Sequence, residues 1–64
     1  MATDDAEKAY VVAVKAFNEA EPRWRRRMLD PRISSADAAK ETEEIQRLFD
    51  AMQKGFTALL KARS

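Results

Sequence analysis

The chain has no cysteine and no histidine, a single glycine and two prolines, and its aromatic residues are three Phe, one Tyr and one Trp. Without cysteine there is no disulfide, and without cysteine and histidine the usual structural zinc sites are excluded. The same absences remove the common nucleophile and base of covalent and acid–base catalysis. Ser34 and Ser35 read as a helix cap and its neighbour, and Ser64 is the last residue of the chain. No glycine-rich phosphate loop is present, and the lone Gly55 reads as a close-packing or flexibility point. An enzyme is therefore not expected, and neither a cofactor nor a small-molecule substrate is called for.

Long apolar runs are also missing. The longest, Ala9 to Val14, is far too short to span a bilayer. No charged start followed by an apolar stretch marks a secretory signal, so a cytoplasmic location is the expectation. An amphipathic helix lying on a membrane carries a strongly basic polar face, whereas acidic and basic residues alternate here, so no membrane partner is expected.

What is present favours helix. Hydrophobic residues make up 45% and charged residues 36% of the 64, which places the chain among folded rather than disordered sequences. Ala, Glu, Lys and Arg lose little freedom in a helix, and β-strand signals are nearly absent. The class is all-α, and its single domain covers residues 1–64.

Helix one is expected over about residues 4–29. Thr3 or Asp4 can serve as its N-cap, with Asp4, Asp5 and Glu7 near the first turn, where the helix dipole favours negative charge. With Tyr10 as origin and about 100° per residue, Val14, Phe17, Ala20, Trp24 and Met28 fall within roughly 80° of it, forming one apolar face. Pro22 interrupts the pattern and should kink the helix; the competing reading ends one helix near Glu21 and begins a short second one with Pro22 in its first turn.

Residues 30–34 form the turn, because Asp30 precedes Pro31 and is pushed away from helical dihedrals. Ser34 can cap helix two, with Asp37 three residues on and Ile33 placed to pack on Ala38. Helix two should then run over about residues 35–62. Its Ile45, Leu48, Phe49, Met52, Phe56, Leu59 and Leu60 recur at spacings of three and four within an arc of roughly 120°.

Charge alternates in four blocks, acidic over 1–21, basic over 22–33, acidic over 34–50 and basic over 51–64. Folding at Pro31 into an antiparallel hairpin sets opposite signs beside one another. The same fold brings Phe17 near Leu48 or Phe49, Val14 near Met52 and Tyr10 near Phe56, and turns Trp24 toward Ala38 and Ala39. Two helices cannot cover both apolar faces, so the hairpin is expected to dimerise into a four-helix bundle or to dock on another helical protein. The expected apolar interface is Tyr10, Val14, Phe17, Ile45, Phe49, Met52, Phe56 and Leu59.

Arg23-Trp24-Arg25-Arg26-Arg27 is the other conspicuous segment. Clustered guanidinium groups suit phosphate, and Arg23, Arg26, Arg27 and Arg32 are the candidate contacts to nucleic acid or to an acidic partner. Helical geometry sends Trp24 to the apolar stripe and the arginines outward, so ring and cations do not converge on one ligand. The plainer reading is a solvated face neutralised across the hairpin by Asp37, Glu41, Glu43 and Glu44. Glu21 and Glu41 fall inside apolar stripes, where an unpartnered carboxylate is costly. Glu21 can reach Arg25 one turn on, and Glu41 can meet the basic block across the hairpin.

Overall fold

The computed structural model describes residues 2–64, which form two α-helices and no strand: α1, Ala2–Met28, and α2, Ser35–Arg63. At about 1.5 Å per residue each helix is about 40 Å long, and the packed pair measures 48 × 16 × 12 Å. Its radius of gyration is 14.7 Å, against about 11 Å for a globular chain of this length.

The local causes of the ends are visible. The amide N–H of Asp30 donates to the Arg27 carbonyl at 3.2 Å as α1 closes, and the Ile33 N–H donates to the Asp30 carbonyl at 3.2 Å across the turn. Pro31 holds the second position of that turn, where its fixed φ belongs, and the Asp30 carboxylate accepts from the Arg32 N–H at 2.9 Å. No described residue needs a positive φ, which explains how a connection without glycine is made. The Ser34 hydroxyl oxygen then accepts from the Asp37 N–H at 3.1 Å, capping α2.

Two expectations about α1 need correction. The helix starts at Ala2, so Thr3 and Asp4 lie inside its first turn and neither is the cap; the Thr3 hydroxyl instead donates to the Ala62 carbonyl at 3.4 Å, tying the start of α1 to the end of α2. Nor does Pro22 divide the segment. It sits within one continuous helix, where it deletes a single backbone donor.

The helices pack antiparallel in a register that steps seven residues at a time. Phe56 meets Tyr10 and Phe49 meets Phe17, each with ring centroids 5.7 Å apart. One step further, the Trp24 indole N–H donates to the Thr42 hydroxyl at 3.2 Å. Thr42 lies one turn along from the alanines expected to face Trp24, and it supplies the half-buried indole nitrogen with an acceptor that alanine lacks. Moving by sevens in opposite directions is the period at which two helices keep one seam in contact while winding about each other. The helices approach closely at Gly55, where an added Cβ would lie 3.2 Å from the Tyr10 Cα.

Candidate interaction surface

Along this seam only Ile45 and Leu59 are buried, at 8% and 7% exposure. Tyr10, Val14, Phe17 and Met52 are half-buried between the helices. Phe49 and Phe56, though their rings touch α1, remain 43% and 45% exposed. The eight apolar residues singled out from the sequence thus split into an internal seam and an outward pair. Leu60 and Val11, at 51% and 60% exposure, join the outward group. Leu60 shares the apolar arc of α2 and Val11 borders that of α1, but periodicity alone does not say which edge of a wide arc stays uncovered.

The two edges of the seam are chemically different. On one, Glu7, Val14, Glu21 and Met28 of α1 recur by sevens, as do Thr42, Phe49, Phe56 and Arg63 of α2. Contacts at both extremes join these rows across the hairpin: Arg63 Nη2 reaches Glu7 Oε1 at 3.1 Å, and the Thr42 hydroxyl lies 3.8 Å from Met28 Sδ. Between those ends Val11, Val14 and Tyr10 line a shallow groove with Lys15, Asn18 and Glu19. Tyr10 also borders a second groove with Met52, Gln53 and Phe56. Sharing Tyr10, the grooves make one apolar strip that crosses from helix to helix.

On the other edge the seven-residue rows are Ala6, Ala13, Ala20 and Arg27 of α1 and Glu41, Leu48, Gly55 and Ala62 of α2. Here the side chains are mostly small, the backbones approach closely, and the row ends in an ion pair, Arg27 Nε to Glu41 Oε1 at 3.0 Å and to Oε2 at 3.1 Å. That hydrogen bond and the charge of Glu41 raise the Arg27 pKa above its ordinary value.

The basic segment is largely spoken for. Arg25 grips both carboxylate oxygens of Glu21 at 2.6 and 2.7 Å, Arg27 holds Glu41, and Arg32 sits 3.5 Å from Asp30. Of the four arginines considered for phosphate, only Arg23 and Arg26 have no ion pair among the described residues. Glu21 and Glu41 lie on opposite edges of the seam, each with its own arginine, so they do not form a joint carboxylate site. No helix among the described residues is long and apolar enough to cross a membrane. Compared with known proteins, the chain matches no family model, no curated protein and no solved structure.

Proposed function

We propose that this chain is a protein-interaction module that self-associates: two hairpins pair into a four-helix bundle whose charged outer surface serves a regulatory or adaptor role toward another macromolecule. The observation that carries the reading is surplus surface. A monomer of 7.3 kDa exposes 5109 Å², whereas a compact protein of that mass exposes about 4,200 Å². The difference of about 900 Å² is close to the roughly 800 Å² that each partner contributes to a standard interface.

Its composition points the same way. Phe49 and Phe56 leave 43% and 45% of their surface in water, and covering it is worth about 2 kcal/mol per side chain. A dimer built on such surface is held by apolar contact and resists salt. Sedimentation equilibrium over a range of concentrations at two salt levels tests this: a dimer that persists in high salt supports the reading, and a folded monomer at every concentration overturns it.

A second reading, phosphate binding to RNA or DNA, draws on Arg23 and Arg26, whose guanidinium groups are exposed without an acidic partner among the described residues. A dimer doubles that pair. Such binding should fall steeply with salt, by about one phosphate's worth of counterion release for each arginine engaged. Absence of any binding to single- or double-stranded oligonucleotides at low salt removes it.

A further inference from the structure

We infer that the two copies meet through the aromatic edge alone, related by a two-fold axis running along the hairpin, so that α1 of one copy lies against α2 of the other. The inference rests on the self-association reading and adds which surface is used and in which orientation. On this edge Val11, Phe49, Phe56 and Leu60 stand between a third and two-thirds open, a contiguous group, whereas the other exposed large apolar residues, Val12 at 68% and Leu29 at 77%, lie outside its rows. The opposite edge offers alanines, which have little apolar area to bury. A second copy is the occupant that fits, because the surplus surface matches one side of a standard interface and the strip is bounded at both ends by neutral pairs, Glu7–Arg63 and Glu21–Arg25. Such a strip can face its own copy without bringing net charge against net charge.

The rims decide the orientation. Lys15 borders the α1 groove of this edge beside Val11, Val14 and Glu19, and Lys8 precedes it by seven residues on the same row. On α2 the row one residue beyond Phe49 holds Asp50, with Glu43 seven residues before it. Lys8 and Lys15 thus flank the strip on α1 together with the acidic Glu19, and Asp50 and Glu43 flank it on α2. In the register set by Tyr10–Phe56 and Phe17–Phe49, Lys15 and Asp50 stand at nearly the same height along the hairpin. A lengthwise two-fold sets Lys15 of each copy against Asp50 of the other, giving two attractive pairs. A crosswise two-fold sets lysine near lysine and aspartate near aspartate, and like charges across an interface select against that arrangement.

Sedimentation equilibrium at low salt on the full chain tests both parts, with circular dichroism confirming that each variant stays helical. Leu60→Glu, at an outer position, should weaken dimerisation by about a hundredfold or more, while Ala58→Glu on the far side should leave it unchanged; the reverse pattern overturns the choice of edge. Lys15→Glu and Asp50→Lys should each weaken the dimer by about tenfold, and the double variant Lys15→Glu/Asp50→Lys should restore it. Single variants that dimerise like the parent overturn the lengthwise axis while leaving self-association standing. A parent chain that is monomeric throughout overturns the self-association reading itself.

Discussion

The aromatic and the alanine edges of the hairpin flank the same seam and belong to the same two helices, yet they solve different problems. The alanine edge lets the backbones approach until Gly55 nearly touches the Tyr10 Cα, so its side chains have served their purpose once the hairpin is closed. The aromatic edge cannot close in that way. Phe49 and Phe56 lean on Phe17 and Tyr10 with tilted rings and remain nearly half exposed to water. One edge is closed within a single chain, and the other keeps its large side chains open to water. A helix pair so narrow has no third layer to hide large side chains, which is why only Ile45 and Leu59 are buried among the described residues.

The largest break in this contrast should come from Phe56→Asp. The substitution removes the Tyr10 contact and sets a charge in the apolar strip, and urea unfolding should report a loss of about 3 kcal/mol together with loss of the dimer. Next comes the alanine edge itself. Gly55→Val adds a branched side chain where even a Cβ is tight against backbone, and should destabilise the hairpin by about 1 to 3 kcal/mol without creating a new association state. If Gly55→Val is instead neutral, the close approach there is not what closes the seam.

Thr42→Val is a finer probe. It keeps the shape but takes away the acceptor of the Trp24 indole N–H, and should cost about 1 kcal/mol, seen as a fall of about 4 to 8 °C in Tm. The smallest effect is expected from Glu41→Gln, which breaks the exposed pair with Arg27; a change of about 0 to 1 kcal/mol that fades with added salt is the outcome for a surface ion pair. A larger loss would mean that the pair holds the loop end of the alanine edge shut.

Much of the helix pair is legible in residue order. Spacings of three and four mark both helices, Asp30-Pro31 marks the turn, and Ser34 marks the start of α2, because each of these depends on neighbours along the chain. The ring pairs Tyr10–Phe56 and Phe17–Phe49 stand where folding at Pro31 places them, since the length of each arm sets the register. Glu21 and Glu41 meet the basic segment, Glu21 within its own turn and Glu41 across the hairpin. The start of α1 was less legible, as Thr3 satisfies the rule for a cap and is used instead to reach Ala62. Trp24 stands on the expected face, and its indole nitrogen reaches Thr42, a partner that the bulk of the ring does not reveal.

The sequence by itself determined that there are two amphipathic helices, where the chain reverses, and that one chain has more apolar face than two helices can cover. Only the tertiary structure decided how that face divides. An apolar arc of roughly 120° is wider than the strip a single neighbouring helix occludes, so residues as alike in sequence as Phe56 and Leu59 part company by one turn. Leu59 falls into the seam and is covered, while Phe56 falls on the edge and stays 45% exposed. That division depends on the rotation of each helix about its own axis, which is set by how the backbones fit at Gly55 and Tyr10 and not by any local rule along the chain.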